Sequence, residues 1–402
     1  MFRYLLFFPS VTFGLLTAEI FPWGILYGLS RIFRLGRISS NLALIIALLF
    51  LSSAHALIAS GGDSFGETIR SLAAYMNPLL AFFAILLASD AEVVRLRRIA
   101  LIVLGGFVTL GVVQFVGFAT LVEPVMKLLV PRAAGESIGG SRGVTLLSSE
   151  PSRASLEFVF CYLVFRVSVT LSPMRRTLLD LGAMAFIAVV LKTATGAAFF
   201  LLVLAIFNFW LFFLSLSVAV IAAVNLLQVE SRALDILFNI LTSGNFTEVF
   251  KIILNQSGFR FISVYSSIPF GFLNPFGGGV GNWETTSVAA MQGSGIDPSQ
   301  VSYFDYFGKG SYLAVRPPAF AANLMLDIGI LGTVAFVTLL RRTVLARCQM
   351  NRDRWRVLVI FLFSFFFIGD TGSPFPWVCL AILLRFAPDE PLAEDAHGNQ
   401  RA

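Results

Sequence analysis

Long apolar runs separated by short knots of arginine are the feature of this chain that most restricts what it can fold into. A helix that spans a bilayer needs about 20 apolar residues, and on that length roughly eleven or twelve candidate spans can be laid along the sequence. Their cores fall at residues 4–29, 42–58, 72–88, 99–119, 154–171, 178–191, 196–210, 211–227, 320–340, 357–368 and 375–386. The run from 196 to 227 is continuous and is cut at Trp210 to make two spans. Pro9, Glu19 and Pro22 interrupt the first run, which is therefore either one tilted helix or a tight pair of short ones. That choice sets the side on which the N-terminus lies. Composition agrees with a chain mostly in lipid: 57% of its 402 residues are hydrophobic and 13% charged, against about 25% charged in a soluble domain. Mean hydropathy is +0.84. The expectation is an all-α polytopic membrane protein.

The arginine knots give the orientation. Arg31, Arg34 and Arg37, then Arg95, Arg97 and Arg98, then Arg175 and Arg176, and finally Arg341, Arg342, Arg347, Arg352, Arg354 and Arg356 alternate with the apolar runs. Such loops stay cytoplasmic. The same parity puts residues 61–70, 122–153 and 229–318 outside and the acidic tail 389–402 inside. Four regions follow: N-terminal spans over 1–228 with an outer loop at 122–153, a large extracytoplasmic loop over 229–318, C-terminal spans over 319–388, and the tail. The first apolar stretch lacks a small-residue cleavage pattern and reads as a span rather than a removed signal. Because the net charge of +6 is written in these topological arginines, no nucleic-acid partner is expected. Cys161, Cys348 and Cys379 share no spacing that suits a disulfide framework or a metal set. No cofactor is expected.

A 90-residue connection is too long to be idle. Ala233, Ile236, Leu237, Ile240 and Leu241 recur at helical spacing, as do Phe246, Val249, Phe250 and Ile253, which predicts short amphipathic helices on the membrane surface. Further on, residues 276–281 read Phe-Gly-Gly-Gly-Val-Gly. Glycine lets backbone approach a ligand closely, and the amides of such a turn suit an anion. The plain alternative is a turn and nothing more.

Four segments carry a resemblance to a family. Ser148-Ser149-Glu150-Pro151-Ser152 is similar to a Glu-Pro-Ser element that opens a mid-chain helix. Leu191-Lys192-Thr193-Ala194-Thr195-Gly196-Ala197-Ala198 is similar to a Thr-x-Ser-Arg-Gly-Ala turn, without its arginine. Arg260 followed by Asn274-Pro275-Phe276-Gly277-Gly278-Gly279-Val280-Gly281 resembles a loop arginine with a Pro-x-x-Gly-x-Gly turn. Ala321-Ala322-Asn323-Leu324-Met325-Leu326-Asp327-Ile328-Gly329-Ile330-Leu331-Gly332 resembles a His-Asn, acidic, Gly-Ile-x-Gly helix returning from the large loop. In this order they resemble the bacterial O-antigen polymerase and O-antigen ligase-like membrane proteins. The resemblance implies a GT-C-like helical glycosyltransferase fold in the inner membrane. It also implies an undecaprenyl-diphosphate-linked oligosaccharide as substrate, with a flippase and chain-length or export proteins as possible partners beside membrane lipid. Ligases of this superfamily carry a histidine where this chain has Ala322, and the histidines present are His55 and His397. His55 reads as a packed or hydrogen-bonded span residue. Polymerase is therefore favoured over ligase.

A polyprenyl diphosphate leaving group needs cations as its glycosidic bond breaks. Arginine holds two phosphate oxygens with one planar fork. The candidates are Arg132, Arg142, Arg153, Arg260 and Arg316, with Gly277, Gly279, Gly281 and Asn323 as further substrate-binding groups. Glu150 is the first candidate for a general base on the acceptor hydroxyl, and Glu157, inside a span, the second. A helix-start carboxylate and an internal ion pair are the respective alternatives. Arg166 is expected to snorkel or pair, and Lys192 to mark the outer interface. Trp283, Tyr303 and Tyr306 suit stacking on sugars beside Glu284, Asp297 and Asp305. A transporter of the same lipid-linked sugars is the competing class, but no internal repeat is visible. A non-catalytic scaffold is the third.

Overall fold

The computed structural model describes residues 2–11, 22–35, 39–118, 124–126, 128–130, 143–225, 245, 248–249, 252, 258–348 and 350–386. These fold into helices, with no strand among the described residues. They are α1 Phe2–Leu5, α2 Trp23–Leu35, α3 Ser40–Ala59, α4 Phe65–Leu86, α5 Asp90–Val113, α6 Pro151–Ser168, α7 Pro173–Ala185, α8 Ala194–Phe207, α9 Phe209–Asn225, α10 Phe259–Leu273, α11 Trp283–Gly293, α12 Ser302–Gly308, α13 Phe320–Arg347, α14 Arg352–Phe367 and α15 Phe375–Arg385. π turns, Gln114–Phe118 and Phe186–Leu191, prolong α5 and α7.

Local chemistry explains the starts and breaks. Pro151 and Pro173 open α6 and α7, where a missing amide costs nothing. Thr193 and Asn351 cap α8 and α14, accepting from Gly196 N at 3.1 Å and Arg354 N at 2.9 Å. The continuous run from 196 breaks at Asn208, whose backbone leaves the helical region (φ −148°, ψ 75°), two residues before the expected cut at Trp210.

Among the described residues four helices are long and apolar enough to cross a membrane: Ser40–Ala59, Phe65–Leu86, Asp90–Val116 and Phe320–Arg347. The other apolar runs form shorter helices, or in α6 a helix of 18 residues that carries Arg153, Glu157 and Arg166. Large apolar side chains such as Leu51, Ile58, Ile102 and Trp210 point outward, the pattern of a bundle that meets hydrocarbon rather than water. α4 and α15 lie at its centre and are buried along most of their length. Against α4 packs α2, where Gly24 and Gly28 bring backbone onto Asn77 and Leu80 so closely that any Cβ would collide. Small residues four apart are what such a crossing requires. Arg3 and Arg31 both reach Glu92, so α1 and the end of α2 share one end of the bundle and the first run turns back on itself. The described residues of the run do not form one tilted helix.

Polar contacts fix the helix directions. Asn41 donates to Thr343 at 3.0 Å and Ser52 to Asp327 O at 2.8 Å, so α3 and α13 are antiparallel. Asn77 donates to Gly372 O and Arg385 to Ala88 O, so α4 and α15 are parallel. Glu157 of α6 lies beside Phe375, the first residue of α15. Consequently the starts of α4, α6, α13 and α15 and the ends of α3 and α14 gather at one end, here the near end. At the far end stand the pairs Arg31–Glu92, Arg166–Asp180 and Arg385–Asp90, which include or adjoin the arginine knots.

Candidate functional site

The near end joins charged residues that are distant in sequence. Glu150, extended at φ −143° and ψ 149°, immediately precedes α6. Its carboxylate accepts from Arg260 Nη2 at 3.2 Å, across 110 residues, and from Ser152 Oγ at 3.2 Å. Arg260 is the second residue of α10, so two sequence candidates from separate regions meet. Both side chains are about half exposed, at 49% for Arg260 and 54% for Glu150. One turn into α6, Arg153 pairs with Asp370 in the α14–α15 connection and donates to Ser149 Oγ at 3.0 Å. One turn further, Glu157 is 4% exposed and accepts a hydrogen bond from Ser148 Oγ through Oε2. Residues 150, 153 and 157 therefore form a stripe along α6, because a helix brings positions three and four apart onto one face. Between α6 and the α14–α15 connection lies a narrow cleft with room for about one water-sized group, lined among others by Arg153, Glu157, Ser364, Asp370 and Ser373.

A second polar group surrounds the start of α13. Arg316 Nε donates to Asn323 Oδ1 at 3.3 Å, and Asn323 Nδ2 donates to the carbonyls of Pro317 and Ala319 at 2.7 and 2.8 Å. Tyr75 of α4 donates to the buried Asp327 carboxylate at 2.7 Å. Asn323 is thereby committed to shaping the turn into α13 and orienting Arg316.

The glycine-rich turn does something other than face an anion. At Gly329, α13 leaves the helical region (φ 64°, ψ −173°), which strips carbonyls 326 and 327 of their usual donors. Gly278 N and Gly279 N supply them, at 2.7 Å to Leu326 O and 2.9 Å to Asp327 O, while Leu331 N bonds Pro275 O at 3.1 Å in exchange. Gly277 N bonds Asn274 O, and Val280 N bonds Ser52 Oγ at 3.1 Å. Four successive amides are thus consumed inside the protein. Buried backbone must be paired, and a broken helix is stable only where neighbours re-satisfy its groups. Gly277 and Gly279, expected as substrate-binding groups, have their amides engaged inside the protein. Their φ values are +71° and +92°, and a Cβ would fall 2.5 Å from the backbone of Asp327 and 2.7 Å from that of Ala56. Gly281 (φ +102°) likewise sits against Thr68 of α4. All three serve close packing, and α10 with this turn packs against α13, α3 and α4 where a surface loop was expected.

Other candidates are placed as follows. Arg132 and Arg142, the two expected amphipathic segments apart from isolated positions, and the acidic tail lie outside the described residues. Trp283 donates to Glu67 at 3.2 Å, and Tyr303 packs on Phe259; Tyr306 and Glu284 remain exposed. Asp297 caps its own turn: the Ser299 hydroxyl, then its amide at 2.9 Å, hold the carboxyl below its usual range. Arg166 pairs with buried Asp180, while Lys192 lies over the Phe115 ring. His55 is exposed on the outward face of α3 rather than packed. Sequence reasoning missed Asp370 and Tyr75, and named Ser148 only as part of the Glu-Pro-Ser element. The polar turn Asp370-Thr371-Gly372-Ser373 between two apolar runs was the available signal for the first. Among the described residues no group of three His, Cys, Asp or Glu side chains stands ready to hold a metal ion. No family model, curated protein or solved structure matches the chain.

Proposed function

We propose that this chain is a metal-independent glycosyltransferase of the inner membrane that polymerises lipid-linked oligosaccharide repeat units at the outer face. The observation that carries the reading is the meeting of Arg260, Glu150 and Arg153 at the end of the bundle opposite the arginine knots. Positive-inside orientation makes that end extracytoplasmic, where a polyprenyl-diphosphate donor would present its headgroup. In the proposed reaction the acceptor hydroxyl attacks the anomeric carbon. The bond from that carbon to the diphosphate breaks, and the electron pair leaves with the diphosphate. Arg260 and Arg153 hold the departing charge, and Glu150 orients Arg260 before the donor arrives. Arg316 is a third cation at this end. The shorter helices complete the crossing in this reading, as eleven or twelve spans of a GT-C-like fold. A flippase and chain-length or export proteins are the partners this activity would need.

The test is polymer formation by the purified protein in liposomes supplied with undecaprenyl-diphosphate-linked repeat units. A ladder of polymer is expected, and its absence from protein that still binds the donor would refute the reading. A ligase fits less well, since Ala322 is a buried alanine in the position of the ligase histidine. One observation favours a lipid-linked sugar transporter instead: α13 is discontinuous at Gly329 beside a segment that packs between other helices, and broken helices are common in transporters. Donor crossing the liposome bilayer without polymer would select that reading.

A further inference from the structure

We infer that Glu157, rather than Glu150, accepts the proton of the acceptor sugar, and that the cleft between α6 and the α14–α15 connection receives that single hydroxyl. This inference rests on the polymerase reading. Three observations carry it. First, the two oxygens of Glu157 are in different situations: Oε2 accepts from Ser148, while Oε1 is buried and has no hydrogen-bond partner. A buried acceptor without a protein donor is costly to leave so, and a hydroxyl donor entering the cleft would satisfy it. Second, Glu157 lines the cleft together with Arg153, Asp370, Ser364 and Ser373. The free space of the cleft admits a single hydroxyl or water-sized group and no sugar ring. Third, Glu150 is already engaged by Arg260 and Ser152 and lies half in water, where solvent competes for any proton it takes.

The step balances as follows. The acceptor O–H proton passes to Glu157 Oε1 as its oxygen bonds to the anomeric carbon. The carbon–oxygen bond to the diphosphate breaks, and the diphosphate carries the electron pair away beside Arg153 and Arg260. Glu157 later returns the proton to the departing diphosphate or to water. Ser148 fixes the carboxylate by holding Oε2, which makes Ser148 a positioning residue.

The experiment compares Glu157→Gln, Glu157→Asp and Ser148→Ala with the unmodified protein in liposomes, measuring polymerisation rate and binding of the undecaprenyl-diphosphate-linked donor separately. Loss of a positioned general base slows turnover about 10²- to 10⁴-fold, so Glu157→Gln should lose at least about 100-fold in rate while binding donor within about threefold. Ser148→Ala should lower the turnover number and leave the KM for donor unchanged. If Glu157→Gln does not reach the membrane, Glu157→Asp decides. A loss above about tenfold with donor binding intact supports the inference, and a rate within about threefold of the unmodified protein overturns it. Near-normal polymerisation by Glu157→Gln, or loss of donor binding in it, overturns the inference as well. An unmodified protein that makes no polymer refutes the polymerase reading itself, so the two failures are distinguishable.

Discussion

Replacing Arg260 with alanine separates a guanidinium that handles a diphosphate from one that only tethers a helix. Arg260 meets Glu150 at 3.2 Å with both side chains about half exposed, and such a pair contributes about 0.2–1 kcal/mol to stability. The guanidinium also lies over the Phe259 ring, 6.0 Å from its centroid, which adds at most about 0.5–1 kcal/mol at an exposed site. The folded protein should therefore tolerate Arg260→Ala, with normal membrane level and a melting temperature nearly unchanged. Removing a donor that stabilises developing charge costs about 2.7–4 kcal/mol, or 10²–10³-fold in rate. Polymer length on a gel should collapse accordingly. Arg260→Lys keeps the charge and loses the two-toothed geometry, so it should retain more activity than alanine yet fall well short of arginine. Under the tethering alternative lysine serves as well as arginine. A well-expressed Arg260→Ala variant that makes normal polymer would remove Arg260 from the site and deprive the polymerase reading of its main support.

Gly279→Ala should lower the melting temperature in detergent more than Gly295→Ala. Both residues have positive φ (+92° and +70°), but only at Gly279 would a Cβ meet backbone, 2.7 Å from Ala56, whereas the space at Gly295 is open; equal shifts would contradict the packing role of the turn. Asp180→Asn leaves Arg166 without its buried counter-charge, and breaking such a pair costs about 3–5 kcal/mol, so thermal stability should fall sharply; an unchanged melting curve would show that Tyr162 and Asn208 alone hold that end. In a variant without native cysteines, Ser294→Cys should react with an impermeant reagent in intact spheroplasts and Gly398→Cys should not. The opposite pattern inverts the topology and moves the site to the cytoplasm.

Much of the architecture is legible in apolar run length. The helix starting after Glu150, the turn at Thr193 and the long helix from Phe320 all occur where the sequence places them, because proline, capping threonine and run boundaries act locally. What escapes is whatever depends on a partner far along the chain. Arg153 finds Asp370 across 217 residues and Tyr75 finds Asp327 across 252, and no local pattern encodes either. The glycine-rich turn is the clearest case. Its composition announces close approach, which is correct, but not to what. Only the break at Gly329, exposing carbonyls 326 and 327, shows that the amides belong to α13. α10 was similarly invisible, since 15 residues interrupted by Pro269 fall short of a span and its burial against α13 decides its place.

Two far-end pairs, Arg166–Asp180 and Arg31–Glu92, differ in burial from the near-end pairs, whereas a third far-end pair, Arg385–Asp90, is exposed, with Asp90 at 89%. At the far end, Asp180 and Glu92 are 0% and 5% exposed. Asp180 is bonded by Tyr162 at 2.6 Å and by two nitrogens of Arg166 at 2.9 and 3.1 Å. A buried acid so saturated cannot release its arginine without leaving an uncompensated charge in a poor dielectric, so that pair is a permanent part of the scaffold. At the near end, Glu150 and Asp370 are 54% and 36% exposed in their side chains. Water can reach both carboxylates when an incoming anion displaces them, and the cost of exchange is small at the half-exposed Arg260 and larger at Arg153, whose side chain is 14% exposed. A diphosphate offers the same oxygen geometry as the carboxylates it would replace, with more charge. The near-end carboxylates therefore orient the arginines and stay open to exchange at Arg260, which the proposed polymerase would require of a site that binds and releases a charged headgroup in every cycle.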